Sequence, residues 1–271
     1  MKVKAYAKIN LRLKVLGITT NSYHLLQMIN CKVKLFDELI FKKTKTKTID
    51  VDMKEVKKEE NLVYKVASYM FEKYSLPGGI YIKVIKNIPI GAGLAGGSCD
   101  AAAVINTLNK MYKLKLTILE KREIAFKFGT DIVYCLDDSL ALVEGIGDRV
   151  RVLERNIKSD VLIINPNFKL LTKDIFREYD LINNFSKADE KNVLEKKNLE
   201  SLLENDLEKI VFNKYPEVKR IKEDLLSRNY SKVLMSGSGP TIFVLGERKL
   251  LSKIYKEYKN TGYNVVLTKI K

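Results

Sequence analysis

Apolar and polar positions alternate along residues 2 to 15. Val3, Ala5, Ala7, Ile9, Leu11, Leu13 and Val15 fall on one face; Lys2, Lys4, Tyr6, Lys8, Asn10, Arg12 and Lys14 fall on the other. Period two over this length predicts a half-buried strand or a bent strand pair, with Lys8 and Asn10 on its polar side. Helical spacing takes over after Asn61, an N-cap residue followed by Leu62, Val63, Val66 and Met70. Pro77-Gly78-Gly79 predicts a turn, and Ile80, Ile82 and Val84 a strand. Val104, Ile105, Leu108, Met111 and Tyr112 trace a second helical face, which Ser98 or Asp100 is expected to cap. Thr117 and Glu120 have the spacing of a capping box.

Residues 139–145 and 160–164 read as strands, and helices are expected over 199–213 and 217–228. The stretch 183–200 is polar and carries no strong pattern until Leu199, Leu202 and Leu203. Val233-Leu234-Met235 leads into Ser236-Gly237-Ser238-Gly239-Pro240, and Thr241 to Leu245 returns as a strand. No internal repeat or long linker interrupts this order. Strands and helices mix along the chain, which predicts an α+β fold, with a boundary between domains near 150–160.

The chain has 271 residues, 46% of them hydrophobic, enough for a sizeable core. No apolar run reaches the roughly 18 residues of a membrane span. The strand-like start predicts no signal peptide, so the expected address is cytoplasmic, with no membrane partner. Cys31, Cys99 and Cys135 are far apart and His24 is the only histidine, so a Cys/His zinc site lacks ligands. The net charge of +16 comes from 49 basic and 33 acidic residues and is mostly lysine. Arginine, the better reader of bases and phosphates, is sparse, and nucleic acid is not the expected partner. The run Lys42-Lys43-Thr44-Lys45-Thr46-Lys47 reads as a solvated edge strand or loop. The same excess suits attraction of anionic small molecules.

The candidate chemistry centres on Pro89-Ile90-Gly91-Ala92-Gly93-Leu94-Ala95-Gly96-Gly97-Ser98. Glycines let a backbone come close to phosphate oxygens. A helix opening directly afterwards aims free N–H groups and its positive dipole end at the same place. Ala101, Ala102 and Ala103 are small enough to let that helix pack near a ligand. Four of the chain's 14 glycines lie between Gly91 and Gly97, which argues against a plain tight turn. Gly91, Gly93 and Gly96 spell G-x-G-x-x-G, but no second strand ending in an acidic residue follows at the distance a dinucleotide site needs. A P-loop needs a Gly-Lys pair, and the chain has none. A protein kinase needs an H-R-D loop, and His24 stands in another context.

P-x-G-x-G-L-x-G-G-S resembles the phosphate-binding motif of the GHMP kinases. Ala7-Lys8-Ile9-Asn10-Leu11, Tyr23-His24-Leu25-Leu26-Gln27, Asn61-Leu62, Gly129-Thr130-Asp131, Glu144-Gly145-Ile146-Gly147, Asn165-Pro166, Thr172 with Phe176, Asn205-Asp206 and Ser236-Gly237-Ser238-Gly239 keep the order of one branch. That branch phosphorylates the 2-hydroxyl of 4-diphosphocytidyl-2-C-methyl-D-erythritol with ATP and magnesium in the non-mevalonate isoprenoid pathway. The resemblance implies a two-domain α+β kinase, residues 1–155 and 156–271, with the active site in the cleft between the domains. It implies Asp131 as the base or hydroxyl-orienting carboxylate, with Lys8 holding it ionised and stabilising charge at the transferring group. It implies Asn10 and Thr172 at the substrate, Tyr23 and Phe176 on the two faces of cytosine, and His24 on its edge. Asn61 and Leu62 would lie by adenine, and Pro89, Gly91, Ala92, Gly93, Leu94, Ala95, Gly96, Gly97 and Ser98 by the nucleotide phosphates. The metal ligands are left open, with magnesium carried mainly by nucleotide and water. A monomer or weak homodimer is expected.

The chain departs from the family pattern at Ser22, where a glycine is usual, at Cys99, where a second serine is frequent, and at Val133, where a proline is usual. Two other readings stay open at this level. One is a GHMP kinase for mevalonate, homoserine or a sugar. The other is a non-catalytic binding protein using the lysine excess.

Overall fold

The computed structural model describes residues 1–154, 157–182, 185–188 and 202–271. Two compact units emerge, one formed by Met1–Ala7, Leu35–Ile88 and Ala95–Asp138, the other by Lys8–Lys34, Pro89–Leu94 and Ser139–Lys271. Strands β1 (Lys2–Ile18) and β2 (His24–Thr44) run through both. The boundary expected at 155/156 and most of the polar stretch 183–200 lie outside the described residues.

In the first unit the strand order is β3 (Ile49–Asp52), β4 (Gly79–Ile85), β2, β1. β4 runs antiparallel to β2, with Leu39 opposite Val84 and Phe41 opposite Ile82, and parallel to β3. These four apolar residues are buried. Lys42, Lys43 and Thr44 therefore belong to a strand paired with β4, not to an edge, and only 45–48 form the solvated loop. Helix α1 (Leu62–Lys73) starts where the Asn61 side-chain oxygen accepts from the Val63 and Tyr64 amides at 2.9 and 3.4 Å. Val63, Val66, Ala67, Met70 and Phe71 form its buried face. It packs on α2 (Gly96–Met111), which in turn meets α3 (Ile118–Phe128) and α4 (Thr130–Cys135). The capping box of Thr117 and Glu120 forms as the spacing predicts.

The second unit holds two sheets. One has the order β6 (Arg149–Val152), β5 (Ala141–Gly145), β2, β1, β8 (Glu204–Asn205). The other is fully antiparallel, in the order β11 (Asn264–Lys269), β7 (Asp160–Asn165), β10 (Ile242–Gly246), β9 (Val233–Met235). Helix α8 (Arg248–Tyr258) lays Leu251, Ile254 and Tyr258 against this sheet, and α7 (Pro216–Ser227) contacts β9 and β10. Helices α5 (Thr172–Ile182) and α6 (Glu208–Lys214) pack on each other.

β1 departs from the half-buried expectation. Its apolar face is buried from Ala5 to Val15, and Lys8, Asn10 and Arg12 on the opposite face are buried too, at 4%, 0% and 2% exposure. A strand flanked on both sides can hold polar groups inside only where each finds a partner. Arg12 reaches Glu204 at 3.1 Å, and Lys8 and Asn10 bond to each other.

The helix expected over 199–213 begins only at Glu208; residues 199–201 lie outside the described residues. Asn205 explains the delay. Its side-chain amide donates to the Met235 and Gly237 carbonyls at 2.8 and 2.9 Å, and its side-chain oxygen accepts from the Leu207 amide at 3.0 Å. Asx residues that bond nearby backbone compete with helix in this way. Asn205→Ala leaves two buried carbonyls without these donors and should cost about 2–4 kcal/mol. The shift of the urea unfolding midpoint measures it.

Candidate active site

The glycine-rich segment enters its turn through Gly91 and Gly93, both left-handed, at φ +67° and +74°. A Cβ on Gly93 would stand 2.1 Å from the Ser236 carbonyl oxygen, and one on Gly91 would stand 2.9 Å from the Lys169 side chain. Only glycine permits either approach. Hydrogen bonds then fix the path of the segment. The Leu170 amide donates to Gly91 O at 3.2 Å, the Lys8 amide to Leu94 O at 3.1 Å, and the Ser236 hydroxyl to Gly93 O at 2.9 Å. The same hydroxyl accepts from the Asn10 amide at 3.4 Å. The Ser236-Gly237-Ser238-Gly239 motif is thus a second tight turn, with Gly237 and Gly239 at φ +57° and +78°, seated against the first.

Lys8 and Asn10 project into this corner. The Lys8 ammonium donates to Asn10 Oδ1 at 2.7 Å, and Asn10 Nδ2 donates to Asn30 Oδ1 at 2.6 Å. Among the described residues of its own unit no carboxylate pairs with Lys8. Its buried charge is met there by an amide dipole alone, which leaves it strongly attractive to an anion.

A second cluster forms around His24, the first residue of β2. The preceding turn is closed by the Thr19 amide on Tyr23 O at 2.7 Å and the Ser22 amide on Thr19 O at 3.0 Å. Ser22 itself takes the left-handed conformation, φ +61°, that glycine takes at low cost. The turn survives the departure from the family pattern and presents Tyr23 at 55% exposure. The ring lying on Phe176 is that of His24, with centroids 4.4 Å apart and planes at 33°. His24 Nε2 stands 2.6 Å from Asp180 Oδ1. Thr172, at the start of the same helix, shares a hydrogen bond with Ser238 at 2.9 Å.

Of the remaining candidates, Pro89 and Ala92 lie in the second unit and the others in the first. Ala95, left-handed at φ +55°, precedes Gly96, the first residue of α2. Neither Ser98 nor Asp100 caps that helix, and its first amides carry no side-chain cap. The glycine pair lets the helix begin before either residue is reached, so both lie inside it. Ala101 and Ala102 are fully buried in the core. Leu62 approaches Gly97, its Cδ1 3.9 Å from where a Cβ would stand, and Asn61 caps α1. Asp131 is exposed in the first turn of α4.

One buried ionic group had no signal in the sequence pattern. Lys86 lies between Asp37 and Asp100, donating to both, with 2.8 Å to Asp100 Oδ2. Asp37 also accepts from the Asn87 and Ile88 amides at 2.6 and 2.8 Å, which fixes the strand leading to the glycine segment. Burial lowers Lys86, but the two carboxylates outweigh it and hold the ammonium above the usual lysine range. Burial pushes the Asp100 carboxyl well above the ordinary carboxylate range, against the pull of Lys86 and with a further push from Asp37. Asp180 was also missed. The only sequence signal was its place four residues after Phe176, one helical turn on.

Comparison with known proteins bears on this arrangement. Residues 61–144 match the GHMP kinases N terminal domain, and residues 189–264 match the GHMP kinases C terminal family. The chain belongs to the GHMP kinases and is an ATP-dependent small-molecule kinase. A 4-diphosphocytidyl-2-C-methyl-D-erythritol kinase of Clostridium beijerinckii is 34% identical, covering 99% of each chain. One of Thermoanaerobacter pseudethanolicus is 36% identical over 99% of this chain and 96% of its own. A crystal structure of 4-(cytidine 5'-diphospho)-2C-methyl-D-erythritol kinase superposes with a TM-score of 0.85 at 27% identity, covering 100% of this chain and 99% of that one. Within the GHMP kinases the chain is a member of the 4-diphosphocytidyl-2-C-methyl-D-erythritol kinase family.

Two predictions follow from the geometry. Gly93→Ala forces the glycine segment off the Ser236 turn and should cost at least about 2 kcal/mol in urea unfolding. Asp100→Asn tests the buried ionic group. A carboxyl raised in the folded chain stabilises fully below its unfolded pKa, and that contribution is lost as pH rises through the folded value. As pH rises above about 4 the parent should therefore lose stability relative to Asp100→Asn. The opposite trend in urea unfolding contradicts the raised carboxyl.

Proposed function

We propose that the chain transfers the terminal phosphoryl group of ATP to the 2-hydroxyl of 4-diphosphocytidyl-2-C-methyl-D-erythritol, a step of the non-mevalonate route to isoprenoid precursors. The observation that carries this reading is the pair of His24 and Phe176, an imidazole ring lying tilted over an aromatic face. It stands in a chain whose full-length relatives bear that enzyme's name. An aromatic face suits stacking of a base, and an imidazole supplies one directional hydrogen bond. A small aliphatic alcohol needs neither.

Each remaining role has its own support. Phosphoryl transfer calls for positioning and for charge neutralisation more than for covalent chemistry. The uncapped first turn of α2 and the glycines from Gly91 to Gly97 offer backbone amides to the nucleotide phosphates, with Ser98 beside them. Asn61 and Leu62 are assigned to the adenine end. Asp131, exposed in the first turn of α4, is the carboxylate that orients the acceptor hydroxyl and takes its proton. Lys8 supplies positive charge for the transferring group, and Asn10 fixes the Lys8 ammonium while serving the substrate. Tyr23 covers the open face of cytosine opposite Phe176, and Thr172 touches the substrate near Ser238. Among the described residues no three His, Cys, Asp or Glu side chains are grouped as metal ligands. Magnesium enters this reading as an ion carried mainly by the nucleotide phosphates and water, and no step here is assigned to it. No helix among the described residues is long and apolar enough to cross a membrane. A cytoplasmic monomer or weak homodimer, with domains 1–155 and 156–271, completes the reading.

The test is ADP release from ATP and magnesium with and without the cytidyl substrate, with the product identified by phosphorus NMR. Strict dependence on that substrate and a new phosphomonoester on it are expected. Turnover with mevalonate, homoserine or a sugar in its place replaces the acceptor. Asp131→Asn should fold normally and lose about 10²- to 10⁴-fold in kcat. Near-parental kcat removes Asp131 from its role.

A further inference from the structure

We propose that Asp180 sets the base specificity of this kinase by fixing the tautomer of His24. The ring then offers Nδ1 as an acceptor to the 4-amino group of cytosine and turns away the 4-carbonyl of uracil. This inference rests on the cytidyl reading above and extends it to a residue that does not itself touch the base.

The argument begins with proton bookkeeping on one hydrogen bond. His24 Nε2 and Asp180 Oδ1 are 2.6 Å apart. An ionised carboxylate only accepts, so the proton between them belongs to Nε2. A neutral imidazole carries one N–H and one lone pair, and the lone pair then lies on Nδ1. Among the described residues no hydrogen bond to Nδ1 is formed. Phe176 and Asp180 are four residues apart on α5, so one helix face supplies both the ring under His24 and the carboxylate at its edge. The helix thus sets the position of the imidazole through Phe176 and its hydrogen-bonding polarity through Asp180. The His24 side chain is 15% exposed and that of Asp180 is 33% exposed, so the pair is partly shielded from competing water.

Cytosine presents an amino donor at its 4-position, where uracil, like thymine, presents a carbonyl acceptor. With Nδ1 as the acceptor, cytosine completes a hydrogen bond and uracil sets two lone pairs against each other. Discrimination of about tenfold to a hundredfold is the scale for one such base contact. Were Asp180 absent, the ring could move its proton to Nδ1 and greet uracil as readily as cytosine. A carboxylate that only braced the β2–α5 contact would affect both substrates alike and leave their ratio unchanged.

His24 is the only histidine in the chain, so ring ¹⁵N NMR of the full-length protein reads its tautomer without assignment. At a pH high enough for a neutral ring, the parent should show the proton on Nε2 and a bare Nδ1. Asp180→Asn and Asp180→Ala should show it redistributed between the two nitrogens. In parallel, kcat/KM is measured for the cytidyl substrate and for its uridyl counterpart. The parent should prefer the cytidyl compound. Asp180→Asn should lower that preference about tenfold or more, mainly by raising KM for the cytidyl substrate, with kcat changing less. A proton on Nδ1 in the parent, an unchanged tautomer in Asp180→Ala, or an unchanged substrate ratio each overturns the inference. A parent with the expected tautomer that uses both bases equally overturns it too, while the kinase reading stands. Turnover only with an acceptor lacking a base removes the cytidyl reading itself, and this inference with it.

Discussion

Backbone meets backbone where the glycine-rich segment crosses the Ser236 turn, and much of the second unit is arranged around that approach. Gly93 has no room for a Cβ, which would stand 2.1 Å from the Ser236 carbonyl oxygen. Contact this close brings one hydroxyl within reach of two elements at once. The Ser236 side chain accepts from the Asn10 amide and donates to Gly93 O, tying β1 to the segment. Asn205 holds the turn from its other side through the Met235 and Gly237 carbonyls. Each of these buried polar groups is satisfied by another, so the two turns are fixed by hydrogen bonds to the strands around them.

Two buried lysines show how differently the same side chain can be used. Lys86 lies between two carboxylates and is a neutralised structural ion, holding the strand that leads to the glycine segment and the start of α2. Lys8, within its own unit, has an amide as its partner. A buried ammonium with so little local compensation favours an anion beside it, which is what a phosphoryl transfer requires. The lysine excess is a separate matter, a net charge of +16 spread along the chain and not a placed group.

Helix α5 carries both partners of the His24 ring on one face. Thr172, Phe176 and Asp180 recur every four residues, so a single helix face carries a hydroxyl, an aromatic surface and a carboxylate. Only Ile175 and Tyr179 of this helix are buried. Most of the helix surface therefore stays outside the core.

The sequence by itself determined the α+β character, the strand at the start, the capped helices after Asn61 and Thr117, and the two glycine turns. These are local matters of period, capping chemistry and backbone freedom within a few residues. The collinear motifs, each short, also determined the family, because their order spans most of the chain. Tertiary structure alone decided that Lys8, Asn10 and Arg12 on the polar face of β1 are interior, that Lys42 to Thr44 pair with β4, and that α2 begins without a side-chain cap. It alone joined Asp37 and Asp100 on Lys86, and His24 to Asp180 across 156 positions. Such contacts depend on which strands become neighbours, and a hydrogen bond between distant residues leaves no period in the chain that encodes it.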